Sequence, residues 1–120
     1  MTGLMPSQHG IHDWIQDTAL PNYPKDWCAV QEFRTLPVTL ANRGYRTAMI
    51  GKYHMGQPTH VMPGFQHWVT FPYGHTLDFW NNTIFENGRT YELKGRHIVE
   101  FFARKGAEYI REQKGDKPFY

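Results

Sequence analysis

The sequence predicts an α/β fold: a mixed, mostly parallel sheet with flanking helices, incomplete in this chain. Three observations lead there. A helix-forming stretch from Thr35 to Gly44 runs directly into the apolar run Tyr45 to Ile50, an αβ step. Asn87-Gly88 separates two runs rich in strand-forming residues, the pattern of a hairpin. Between Arg96 and Lys114 apolar residues recur at helical spacing, which gives that helix a face to lay on a sheet.

Taken in order, the first segment is the least regular. Pro6, Pro21 and Pro24, with Gly10 and Asn22, predict an extended connection from Pro6 to Val30, held down by Trp14 and Trp27. Long connections of this kind often frame active sites. Thr35 is placed to cap a short helix with Pro37 in its first turn and Gly44 just past its end. Tyr45 to Ile50 then reads as a buried strand. Beyond it, Gly51-Lys52-Tyr53-His54-Met55-Gly56 presents a cation and an imidazole two positions apart, where open α/β sheets carry their chemistry. Lysine holds a charge and histidine can move a proton. On spacing alone, the same run also reads as a turn punctuated by glycines with both side chains solvated.

From Gln57 to Gly74, prolines and glycines break up any long element, and Phe65, Trp68, Phe71 and Tyr73 are read as packing residues rather than a ligand wall. Thr83-Ile84-Phe85 and Thr90 to Leu93 flank the Asn87-Gly88 turn as a surface hairpin of type I′ preference. The closing helix is expected to bury Val99, Phe102, Ala103, Gly106 and Ile110 and to stop at Gly115. Arg111 and Lys114 sit at the negative end of its dipole. No internal repeat, low-complexity tract or clear domain boundary interrupts this order.

Composition narrows the functional classes. The chain has 120 residues, 16% of them aromatic, enough to build one modest core. Its net charge is only +2 and the basic residues are scattered, which argues against nucleic acid or anionic lipid as the main partner. No apolar run is long enough to span a membrane.

Three stretches together resemble the sulfatase family. Gly44-Tyr45-Arg46-Thr47, the apolar run to Ile50 and then Gly51-Lys52-Tyr53-His54-Met55-Gly56 are similar to that family's second signature, with Tyr53 where tryptophan is common. Thr2-Gly3 and the residues after it look like the tail of the first signature, C-x-P-S-R followed by T-G, whose cysteine or serine would lie upstream of Met1. Lys117-Pro118-Phe119-Tyr120 is similar to the family's K-P-F-F segment, which leads into a central strand. The resemblance covers nearly the whole chain and implies an alkaline-phosphatase-like fold. Residues 1–120 then read as an internal fragment of the N-terminal catalytic domain of a longer enzyme.

The activity so implied is hydrolysis of a sulfate ester, with a sulfated glycan or small sulfate ester as partner. A formylglycine and a calcium ion are the cofactors, neither held by residues of this chain. By the same resemblance Lys52 places positive charge on the sulfate oxygens and His54 handles the proton, both as catalytic residues. His75 is a second candidate for substrate binding, in a segment that resembles part of a sulfatase cleft. The isolated chain is expected to be inactive, and family members are usually periplasmic, secreted or lysosomal. Two other readings are open: a phosphate or phosphonate ester hydrolase of the same superfamily, because a lysine and a histidine serve any tetrahedral oxyanion, and a non-catalytic binding remnant.

Other reactive side chains carry less. Cys28 lacks the Pro-Ser-Arg of the formylglycine signature and is read as a buried free thiol. His9 and His12 sit in a proline-bounded loop beside Asp13, with no third ligand at a recurring spacing, so no metal site is expected there. His9 lies close in sequence to the first signature, but nothing in the sequence places it.

Overall fold

The fold is described by a computed structural model over residues 1–13, 15, 22–73 and 75–120. Trp14 and Pro21 of the first segment, and Gly74, lie outside these described residues. The elements are α1 (Pro6–His9), α2 (Leu36–Ala41), β1 (Ala48–Ile50), β2 (His67–Thr70), β3 (Asn82–Glu86), β4 (Arg89–Leu93) and α3 (Ile98–Glu112). Thr35 stands at the N-cap position of α2 and proline falls in its first turn, but the Thr35 side chain makes no capping hydrogen bond.

The four strands form one mixed sheet in the order β1-β2-β3-β4. β1 and β2 are parallel, and β2-β3-β4 is antiparallel. This arrangement brings the C-terminal ends of β1, β2 and β4 and the start of β3 to one end of the sheet. On the far side of β1, Arg46 pairs in parallel with Phe119, and Tyr120 donates its amide hydrogen to the Arg46 carbonyl at 2.8 Å. The segment around Phe119 and Tyr120 therefore pairs with the chain just before and within β1. β1 itself is half-buried rather than buried as read, because only this short stretch lies against that edge.

The hairpin forms as expected, with Glu86 opposite Arg89. Asn87 and Gly88 both have positive φ, 47° and 88°, as a type I′ turn requires. It is not a surface hairpin throughout, since β3 is an interior strand with Ile84 wholly buried. β2 is the element the sequence hides. Trp68, Val69 and Thr70 are all buried, so the alternation of a half-exposed strand is absent.

Two clusters cover the two faces. On one face, loop residues Cys28, Val30, Tyr53, Met62 and Phe65 pack on Trp68 and Phe85. On the other, Ile98 and Phe101 of α3 pack on Val69, Phe71, Ile84 and Leu93. Removing side chains of this size from water contributes roughly 1.5–3 kcal/mol each. Phe65, Trp68 and Phe71 are core residues, as read, and Tyr73 stacks on Phe71 with centroids 5.8 Å apart.

α3 turns a different face to the sheet from the one expected. Val99 is 59% exposed and Ile110 53% exposed, while Ile98 and Phe101 are buried. Phe102 belongs to both apolar sets, and the sheet selects the set containing the bulkier Ile98 and Phe101. This rotation also delivers Lys105 to Glu86 at 2.7 Å, while the Tyr91 hydroxyl donates to the same carboxylate at 2.6 Å.

That polar group makes stability pH-dependent. Burial holds the neighbouring His67 imidazole below its ordinary value, with Glu86 pulling the other way. Burial alone would raise the Glu86 carboxyl, but Lys105 and Tyr91 outweigh it and hold it low. Both shifts mean that the unfolded chain binds more protons, so stability is present at neutral pH and lost on acidification. The melting temperature of a protein carrying this chain should start to fall below about pH 6.5 through His67 and fall further below about 4.5 through Glu86. His67→Gln should remove the first phase, and an unchanged profile in that variant would reject the assignment.

Candidate active site

β1 ends at Ile50, and the chain leaves the sheet as an extended loop over residues 51–56. Both ends of this loop are clamped. The Gly51 amide donates to the Val69 carbonyl at 2.9 Å. At the far end Ala29 donates to the Met55 carbonyl at 2.8 Å, Gln57 donates to the Trp27 carbonyl at 2.9 Å, and Gly56 bridges Cys28. The approach at Gly56 is so close that a Cβ there would lie 2.5 Å from the Trp27 carbonyl oxygen.

Between the clamps the side chains alternate. Tyr53 turns inward, 3% exposed, edge-on to Trp68 at 4.8 Å, and its hydroxyl donates to the Cys28 sulfur at 3.2 Å. Burial, reinforced by that bond, pushes the Tyr53 phenol far above its ordinary range. Cys28 is thus a buried thiol that anchors the loop, in agreement with its sequence reading. With Tyr53 turned into the core, Lys52 is exposed and His54 half-buried.

His54 Nε2 lies 2.6 Å from the Ile15 carbonyl oxygen. A carbonyl only accepts, so Nε2 carries the hydrogen of this bond. His54 also lines a cavity of about 610 Å³ together with Thr2, Gly3, His9, Asp13 and Ile15. The segment after Thr2-Gly3 therefore meets the loop after β1 at one cavity. His9, which the sequence could not place, and Asp13 both face it. The signal for them was their position directly after Thr2-Gly3; pairing with a loop some 40 residues on is a tertiary fact.

His75 stands beside His54, with ring centroids 6.4 Å apart at 68°. It is exposed, and its Nδ1–H donates to the Thr76 carbonyl at 2.9 Å, which leaves Nε2 as its outward nitrogen. The structure thus brings His54 and His75 together. Lys52 leaves the same loop on the solvent side and does not line the cavity. Among the described residues no group of three or more His, Cys, Asp or Glu is placed to hold a metal ion. No described helix is long and apolar enough to cross a membrane.

Comparison with known proteins places the chain in a family. An N-acetylglucosamine-6-O-sulfatase of Bacteroides thetaiotaomicron is 31% identical over 88 residues, 72% of this chain and 15% of that protein. A solved structure of a protein in complex with its substrate D-glucosamine-2-N,6-O-disulfate superimposes with a TM-score of 0.70 at 25% identity, over 99% of this chain and 21% of the other. A second solved structure, from work on the metabolism of multiple glycosaminoglycans by Bacteroides thetaiotaomicron, shares the fold at a TM-score of 0.70 and 16% identity. It is covered over 29% of its length and this chain over 99%. The chain thus spans between 15% and 29% of the length of these proteins. The sequence model of the Sulfatase family matches residues 1–120, and with the signature residues Gly51 to Gly56 found on a clamped loop at the end of β1, this chain belongs to the sulfatase family.

Proposed function

We propose that residues 1–120 are part of the N-terminal catalytic domain of a sulfatase that hydrolyses sulfate esters, with a sulfated glycan as substrate class. The observation that carries this reading is the rigidly clamped loop that carries Lys52 and His54, with His54 on a cavity shared with Thr2 and Gly3. A relative that is an N-acetylglucosamine-6-O-sulfatase and a structural neighbour holding a sulfated glucosamine support the glycan class. The surface supports a larger domain. It measures 7658 Å², against about 6,700 Å² for a compact monomer of 14.1 kDa, and the chain forms a slab 40 × 40 × 21 Å.

In this reading each residue has one task. Lys52, exposed and on a loop that cannot drift, sets an ammonium against the sulfate oxygens and offsets charge that grows as the ester bond breaks. His54, its ring held through Nε2–H by the Ile15 carbonyl, moves the proton at the reacting centre. His75 directs Nε2 at the substrate from the other side of the His54 ring. In this reading the family's calcium and formylglycine are assigned to other parts of the protein. When present they supply a nucleophilic oxygen and a Lewis acid.

The test is an assay of the longer protein that carries this chain on 4-nitrophenyl sulfate and 4-nitrophenyl phosphate. Sulfate turnover well above phosphate turnover is expected, and none from residues 1–120 alone. A preference for phosphate would establish the phosphate-ester reading instead, and activity in the isolated chain would overturn the assignment of missing catalytic groups.

A further inference from the structure

A second cleft, of about 340 Å³, opens where the connection from β2 to β3 meets the start of α3, with Trp80, Arg96, His97, Glu100 and Arg104 in its wall. It lies at the same end of the sheet as Lys52, His54 and His75. β1 and β4 are three inter-strand steps of about 4.8 Å apart, so the strand ends that lead to the two places are about 14 Å from each other. Only residues 76–79 lie between His75 and Trp80.

The wall is held by its own backbone. Asp78 Oδ1 accepts the amide hydrogens of Trp80 at 2.5 Å and Asn81 at 3.0 Å. Arg96 donates its amide hydrogen to the Trp80 carbonyl at 3.2 Å, and Ile98 donates to the Phe79 carbonyl at 2.8 Å. The His97 ring stacks on Phe79 and meets Trp80 edge-on, at 5.8 and 5.0 Å. Even so, Trp80 remains 56% exposed and Phe79 57%. An indole so fixed, with a face that no other described residue covers, offers a flat apolar surface to a ligand.

The charges beside it define the ligand. Arg96 and Arg104 face one carboxylate in the cleft, Glu100; a second, Glu108, lies 3.9 Å from Arg104 with both side chains about half exposed. Guanidinium groups match the oxygens of a sulfate by paired N–H donors, and an aromatic face matches the apolar face of a sugar ring. We propose that this cleft is a distal subsite for a sulfated sugar residue of the same glycan whose reacting sulfate lies at Lys52 and His54, an inference that rests on the sulfatase reading. It makes the enzyme prefer a chain to a single sugar.

The test uses the full-length protein carrying His54→Ala, whose turnover is slow enough for binding to be measured. Its affinity is measured for a heparin tetrasaccharide and for glucosamine 6-sulfate. Adding Trp80→Ala, or Arg96→Ala with Arg104→Ala, should raise the Kd of the tetrasaccharide about tenfold and that of the monosaccharide far less. The arginine pair should also flatten the salt dependence. Equal tetrasaccharide Kd values in parent and variants would overturn the subsite. A fall of several degrees in Tm with unchanged Kd would overturn it too, by showing that another part of the protein covers Trp80. If the unmutated enzyme cleaves aryl sulfate while the variants bind the tetrasaccharide like the parent, the subsite fails and the sulfatase reading stands. If it neither cleaves aryl sulfate nor binds the tetrasaccharide, the sulfatase reading has failed and the subsite with it.

Discussion

His54→Ala in the full-length protein should lower kcat on an aryl sulfate by about 10²–10⁴-fold, the range expected for removing a positioned acid–base group. Lys52→Ala should cost about 10²–10³-fold, or roughly 2.7–4 kcal/mol of transition-state stabilisation, by analogy with loss of one oxyanion contact. The two differ in what else they disturb. Lys52 is exposed, so its loss should shift stability by no more than about 0.5 kcal/mol. His54 is half-buried and bonded to Ile15, so its replacement should also loosen the first segment. Steady-state kinetics beside thermal melts separates these effects. Near-normal kcat in either variant would remove that residue from the chemistry.

Gly56→Ala should be among the most damaging single-methyl changes in the chain. Its φ of 152° is one that side-chain-bearing residues rarely adopt, and the added Cβ would meet the Trp27 carbonyl oxygen at 2.5 Å and Cys28 Cα at 2.7 Å. Backbone strain of about 1–3 kcal/mol adds to an overpacking cost of similar size, and backbone cannot rotate aside as a side chain does. We expect a loss of about 2–5 kcal/mol in chemical denaturation, with kcat reduced because the loop carrying His54 must move. Gly51→Ala is the control. Its φ is 133° but nothing lies within 4 Å of the new Cβ, so only the backbone strain should remain. Equal costs at the two positions would show that the close packing against Trp27 and Cys28 is not what holds the loop.

The family was legible in short runs whose residue order resembles its signatures. Thr47 illustrates how such a run serves structure as well. It is wholly buried, its hydroxyl donates to the Gly64 carbonyl at 2.6 Å, and its own carbonyl accepts the Gln66 and His67 amides, fixing the turn that starts β2. The αβ step, the Asn87-Gly88 turn and the extent of the last helix were legible too, because capping residues, a type I′ turn and helical periodicity are local properties. β2 was not, since a four-residue strand covered on both faces has no alternation to read.

What the sequence determined by itself was therefore the family, the local turns and the presence of Lys52 and His54 on a loop after a strand. Only the tertiary structure decided which face of α3 is buried, that Tyr53 turns to Cys28, and that His9, Asp13, Ile15 and His75 gather around His54. Local signals depend on the conformational preferences of neighbouring residues, whereas these outcomes depend on which of several apolar or polar sets fits a partner far along the chain. Phe102 could serve either stripe of α3, and only the sheet beneath it settles the choice.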